Sequence, residues 1–206
     1  MNKIKRIVLT GAPCGGKTVI FDTLRQSFFD YTYVPETAVL LLESSGFPAP
    51  TEYYPERSKE WQLDFEDLIF YLQKSIEDAK MSEYIITESK ATILDRGLMD
   101  IAAHLPGKME QFCKRYNVTE QEILNRYDVV IHLVSLAVLN PVKYMEVAER
   151  RWGNTYLSSL ERAIELEESI LEAWRNHPNL HIVDGNGDLE IKKSRVIEII
   201  NKSILA

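Results

Sequence analysis

The chain has 206 residues, 45% of them hydrophobic and 27% charged, with 24 lysines and arginines against 31 aspartates and glutamates. A net charge of -7 without any basic block excludes the electrostatic footprint of a duplex nucleic-acid binder, and no apolar stretch is long enough to span a bilayer. Two cysteines, Cys14 and Cys113, cannot form a disulfide framework, and the apolar run Ile7-Val8-Leu9 is too short for a signal peptide, so a cytoplasmic protein is expected.

In chain order, a short β-branched run ends at Thr10 and is followed by Gly11-Ala12-Pro13-Cys14-Gly15-Gly16-Lys17-Thr18. Apolar positions at Ile20, Phe21 and Leu24 come next, which fits a helix. The order is strand, glycine loop, helix. Gly11-x4-Gly16-Lys17-Thr18 satisfies G-x-x-x-x-G-K-[ST], a pattern that a chain of this length meets by chance about one time in a hundred. Glycines let the loop's N–H groups turn toward a phosphate, and the helix N-terminus adds partial positive charge. Lys17 then suits the β/γ oxygens and the Thr18 hydroxyl suits Mg²⁺.

Further strands are expected from Tyr31 to Pro35, from Ala91 to Asp95, from Tyr127 to Val134, and from Leu180 to Asp184 before the turn Gly185-Asn-Gly187. Helical patterns separate them, which predicts an α/β fold with a mostly parallel sheet, read as a single domain over 1–206. A helix from about Ser58 to Met81 places Trp61, Phe65, Leu68, Leu72 and Ile76 on one stripe. Gln62, Glu66, Gln73 and Glu77 form a second stripe about 100° away. A helix beginning near Ser158 has a capping box, Ser158-x-x-Glu161, and is expected to bury Leu160, Ile164, Leu171 and Trp174. Its acidic run from Glu161 to Glu172 reads as a solvated face. A last amphipathic helix runs from about Leu189 to Leu205.

Ligands of open α/β sheets bind at the carboxyl ends of the strands. Asp95 ends one strand, where an acid holds Mg²⁺ or orients a nucleophile, and Arg96 beside it can grip a phosphate. The plainer role for Asp95 is the N-cap of a helix at Leu98 to His104. Glu36 ends another strand and can accept the proton of an attacking hydroxyl, or simply favour the dipole of a helix from Thr37 to Ser44. Arg150 and Arg151 fall in a lid expected at about 140–157, where an arginine would stabilise a transferring phosphoryl group. Tyr53, Tyr54, Trp61 and Phe65 are available to stack a ring. His177 and His181 are separated by Pro178 and do not suggest a zinc site, and His132 reads as a core residue.

The loop, Val34-Pro35-Glu36 and Asp95-Arg96-Gly97 together resemble P-loop nucleoside and nucleotide kinases. Deoxynucleoside kinases carry a similar Val-Pro-Glu with the glutamate as general base, then Trp-x-x-x-Phe-Gln with a base-reading glutamine. Here Trp61-Gln62-Leu63-Asp64-Phe65-Glu66 puts Glu66 at that position. Nearly the whole chain resembles kinase-like AAA-type ATPases, a family that includes the ribosylnicotinamide-kinase domain of bacterial NAD regulators and the TRPL-translocation-defect protein. Pro35-Glu36-Thr37, Asp95-Arg96-Gly97, Ser159-Leu-Glu-Arg-Ala-Ile-Glu-Leu-Glu167, Trp174-Arg-Asn-His-Pro178 and Ile182-Val-Asp184 carry that likeness. Tyr156 and Ser158 stand where such relatives often have arginine and glutamate.

The resemblance implies a P-loop NTPase fold of three α/β/α layers with a five-stranded sheet of nucleoside-kinase type. It implies an ATP-Mg²⁺ phosphotransferase, with GTP as the other possible donor, acting on a small molecule such as a nucleoside or nucleotide. Residues 11–18 would bind the nucleotide, Glu36, Tyr54, Trp61, Phe65, Glu66 and Arg96 the acceptor, and Thr18 and Asp95 the metal. The alternative is a nucleotide-switched ATPase or GTPase module that regulates a partner.

Overall fold

A computed structural model describes residues 4–44, 55–87, 89–152 and 159–205, with the side chains of 44, 55–58, 80–87, 151 and 152 outside the description. Its centre is β1 (Lys5–Thr10), flanked by β3 (Ala91–Asp95) and β4 (Val129–Leu133), with β2 (Tyr31–Val34) and β5 (Leu180–Val183) at the edges. All four pairings are parallel, so the mostly parallel sheet expected from sequence is wholly parallel among the described residues. The strands read as near-continuous apolar runs because helices cover both faces.

On one face, α1 (Lys17–Ser27) and α10 (Leu189–Leu205) pack Ile20, Phe21, Leu24, Val196 and Ile200 against Ile7, Leu9, Ile93 and Ile131. On the other, α3 (Pro55–Thr87), α4 (Asp100–His104), α5 (Lys108–Tyr116) and α9 (Leu160–Trp174) pack Phe70, Ile101, Phe112 and Trp174 on Val8, Leu94 and Val130. The result is the three-layer α/β/α arrangement. The short helix α2 (Thr37–Ser44) follows β2, α6 (Glu120–Leu124) precedes β4, and α7 (Leu136–Leu139) and α8 (Pro141–Trp152) follow it. Residues 153–158 of the expected lid lie outside the described residues.

Register decides what the strand ends deliver. Leu9 pairs with Asp95 and Thr10 with His132, so the side chains that close β3 and β4 arrive beside the loop that leaves β1. Ligands of such sheets bind at these ends.

Three sequence expectations are corrected. The helix cap is Ser159, whose hydroxyl accepts from the Arg162 N–H, one residue beyond the expected Ser158. The buried face of α9 runs through Ala163, Glu167, Ile170 and Trp174, so Glu167 belongs to the interior and not to a solvated acidic face. On α3, Leu68 and Leu72 are 41% and 36% exposed, whereas Glu66, Gln73 and Glu77 of the polar stripe are buried. That inversion is possible because the interior supplies partners: Tyr127 donates to Glu77 at 2.9 Å, and Gln73 donates to the Arg96 carbonyl at 2.9 Å.

Candidate nucleotide site

The glycine loop turns sharply at the end of β1. Gly11 has φ +126°, a left-handed backbone, and a Cβ there would press into the Leu133 carbonyl, so both sterics and dihedral require glycine. Lys17 opens α1, and its Nζ donates to the Gly11 and Ala12 carbonyls at 2.7 and 2.9 Å. Burial, with the Arg96 charge, lowers its pKa to about 8. The Thr18 side chain is exposed at the loop's mouth.

Asp95, Arg96 and Glu36 come together across this loop. Arg96 Nε donates to Glu36 Oε1 at 2.7 Å, and its Nη1 lies 3.4 Å from the Gly11 carbonyl and 3.7 Å from Asp100 Oδ2. Burial opposes the Arg96 charge, but the Glu36 and Asp100 carboxylates more than offset it and raise its pKa. Asp95 is 2% exposed, and burial with the Glu36 charge pushes it up to about 6. It caps no helix, since α4 is preceded by Met99 at its N-cap. Asp100, absent from the sequence expectations, accepts from Thr10 Oγ1 at 2.5 Å and from Trp174 Nε1 at 2.7 Å, which ties the Arg96 partner to the core. Burial and the Arg96 charge push the His104 imidazole down to about 4, so it is neutral here.

A cavity of about 560 Å³ opens from this cluster. Pro13, Glu36 and Arg96 line its polar end, and Trp61, Phe65, Glu66 and Ile69 its apolar end. Trp61 and Phe65 stack with centroids 4.7 Å apart. Glu66 accepts a hydrogen bond from Gln62, and burial pushes its carboxyl up to about 8, so it is a neutral acid at pH 7. Tyr53 and Tyr54 lie outside the described residues. Arg150 is exposed on α8 and does not line the cavity, the Arg151 side chain lies outside the description, and Arg162 of α9 stands on the cavity wall.

The residues present fit a hydrated divalent cation. Asp95 Oδ1 and Asp100 Oδ2 are buried without a hydrogen-bond partner, leaving acceptor capacity beside the loop. Mg²⁺ keeps several waters and binds through one or two carboxylates; among the described residues there is no group of three or more His, Cys, Asp or Glu side chains that could hold a metal ion.

A family model for an AAA domain matches residues 6–192. The chain belongs to that AAA-type P-loop family. No curated protein matches it. An AAA-type P-loop domain binds nucleotide, and the motif at 11–18 lies within the matched span. Among the described residues no helix is long and apolar enough to cross a membrane.

Proposed function

We propose that this AAA-family protein is a Mg²⁺-dependent phosphotransferase that moves a phosphoryl group from ATP to a small acceptor, a nucleoside or nucleotide. One observation carries the reading: a single cavity joins the phosphate loop at Pro13 and the Glu36–Arg96 pair to a stacked aromatic wall at Trp61 and Phe65. An apolar wall with a few convergent polar groups is the usual make-up of a small-molecule site, and here it adjoins the phosphate loop.

In this reading the backbone of residues 11–18 cradles the phosphates, and Lys17 exchanges the Gly11 and Ala12 carbonyls for β/γ oxygens. Thr18 and Asp95 hold Mg²⁺, which when bound neutralises charge on the phosphates. The stacked pair of Trp61 and Phe65 offers an outer face or edge to the acceptor ring and Glu66 contacts its polar rim, with Tyr54 as a further acceptor-binding residue. Glu36 takes the proton of the acceptor hydroxyl. The new O–P bond forms as the bond from phosphorus to the β–γ bridging oxygen breaks, and ADP departs. Arg96 steadies the phosphoryl oxygens, with Arg162 on the cavity wall as the second arginine in place of the exposed Arg150. The whole chain, 1–206, acts as one kinase-like domain of the cytoplasm.

Calorimetry with Mg-ATP and Mg-GTP tests the nucleotide half: the wild type binds one of them, and Lys17→Ala weakens it by two orders of magnitude or so, about 3 kcal/mol. Nucleotide consumption measured with and without a panel of nucleosides and nucleotides tests the acceptor half. Stimulation by one class supports transfer. Hydrolysis indifferent to every acceptor favours a nucleotide-switched module, a reading to which the exposed placement of Arg150 away from the cavity lends weight.

A further inference from the structure

Glu167 is 5% exposed and lies on the sheet-facing side of α9, where a carboxylate is costly unless it is fully bonded. It is bonded on both oxygens. Oε2 accepts from the Ala12 N–H at 2.8 Å, while Oε1 takes the Ser135 N–H at 3.1 Å and the His132 Nε2 at 2.8 Å. Burial pushes its carboxyl up, and the bonds from His132, Ala12 and Ser135 bring it below the usual carboxylate range. An ionised Glu167 only accepts, so His132 carries its proton on Nε2.

The contacts continue around the back of the phosphate loop. Ser135 Oγ donates to the Pro13 carbonyl at 2.5 Å and, from its other side, caps the Ala137 N–H of α7. Lys192 of α10 is 3% exposed and donates to the Gly15 carbonyl at 3.1 Å and to the Val134 carbonyl. Burial lowers its pKa while the Glu167 charge opposes that shift, so the two opposite charges sense each other behind the loop. Three side chains far apart in sequence thus grip three points of one loop: Ala12, Pro13 and Gly15.

The Ala12 peptide is the point of interest. In the Gly11–Ala12 peptide unit the Ala12 N–H is held by Glu167 and the Gly11 C=O by Lys17 Nζ. A bound nucleotide draws Lys17 away to the phosphates, and the unit then keeps its orientation through Glu167, with the longer contact from Arg96 Nη1 on its carbonyl. A negative charge placed behind an anion site costs affinity by simple Coulomb repulsion, so a plain structural filler would favour a neutral side chain there. We infer that Glu167, with Ser135 and Lys192, forms a rear brace that holds the phosphate loop in its binding shape while Lys17 changes partners. These are positioning residues, and the inference rests on the nucleotide reading of the loop.

The experiment compares the wild type with Glu167→Gln and Lys192→Met by Mg-ATP calorimetry, apo-state melting and amide hydrogen exchange resolved at Ala12. Glutamine has one acceptor oxygen and turns an NH₂ toward an N–H donor, so one set of bonds is lost. The expected result is an Mg-ATP Kd raised about tenfold in each variant, the size of one charge-assisted hydrogen bond, and faster exchange at Ala12 in Glu167→Gln. The affinity loss persists when each titration is corrected for the folded fraction given by melting, which a merely structural role would not produce. Should Glu167→Gln fail to fold, Lys192→Met alone decides. Variants that bind Mg-ATP as tightly as the wild type overturn the brace and leave the nucleotide reading intact. A wild type that binds neither Mg-ATP nor Mg-GTP overturns both.

Discussion

The two ends of the cavity are built in opposite ways. At the phosphate end, polar groups from β1, β3, α4, α9 and α10 converge on one loop, and most contacts there span large sequence separations. At the ring end, Trp61, Phe65, Gln62 and Glu66 all come from one stretch of α3, where Gln62 donates a hydrogen bond to Glu66 within the same helix. Phosphate recognition demands fixed N–H directions, which only a braced backbone maintains. Ring recognition demands area and one or two polar points, which side chains on a helix supply and substitution can retune without disturbing the sheet. In the phosphotransferase reading proposed above, the difference makes donor binding a property of the fold and acceptor choice a property of a few residues on one helix.

Breaking the seam between the ends should have the largest effect. Gly97 follows Arg96, and a Cβ there would stand 2.8 Å from two carbons of the buried Trp174 ring, whose Nε1 holds Asp100. Gly97→Ala is expected to lose about 2–3 kcal/mol of stability by overpacking, read as a lower urea midpoint, and to weaken both donor and acceptor binding. Equal loss at both ends marks the seam; an unchanged midpoint would show that Trp174 yields freely.

Trp61→Ala should strike one end alone. Losing the stacked ring is expected to raise the acceptor KM roughly tenfold or more, about 1.5–2 kcal/mol, with Mg-ATP affinity unchanged by calorimetry. A parallel loss of ATP affinity would mean that the two ends are not separable.

The smallest effect at neutral pH belongs to Glu66→Gln, because the native side chain is already an uncharged acid held at a pKa of about 8. Its pH signature is the informative part. Between the ordinary carboxylate range and about pH 8 the folded chain keeps a proton that the unfolded chain has released. The stability from this group is therefore complete below about pH 4, declines as pH rises and is lost above pH 8. Melting temperatures from pH 5 to 9 should fall for the wild type relative to Glu66→Gln. Parallel curves would refute the neutral acid.

Much of the phosphate end is legible in the sequence because its signals are local. A glycine loop between a strand and a Lys-Thr helix start needs no tertiary knowledge, and acids at strand ends follow from the parallel-sheet rule. The brace is illegible for a physical reason. Glu167 sits in an acidic run, and charge on a helix reads as solvent-facing unless its partners are known. Those partners are backbone N–H groups and a histidine that arrive from other elements. His132 likewise reads as filler because its strand is apolar, and only its bond to Glu167 gives it a role. The polar stripe of α3 is visible as a stripe, yet its burial depends on Tyr127 and the Arg96 carbonyl, which no periodicity reveals. The one-residue shift of the α9 cap arises because Ser158 and Ser159 are chemically equivalent candidates and the backbone chooses between them.

The hydrogen bond from Gln73 to the Arg96 carbonyl has a further consequence, because Arg96 has φ +76°. A left-handed backbone costs a non-glycine residue about 1 kcal/mol or more, a cost that glycine avoids. Yet the guanidinium that meets Glu36 requires a long side chain at that same place. The backbone at position 96 thus favours glycine while the contact to Glu36 favours arginine, and the buried Gln73 amide, by holding the Arg96 carbonyl, pins the strained residue in the conformation that serves both.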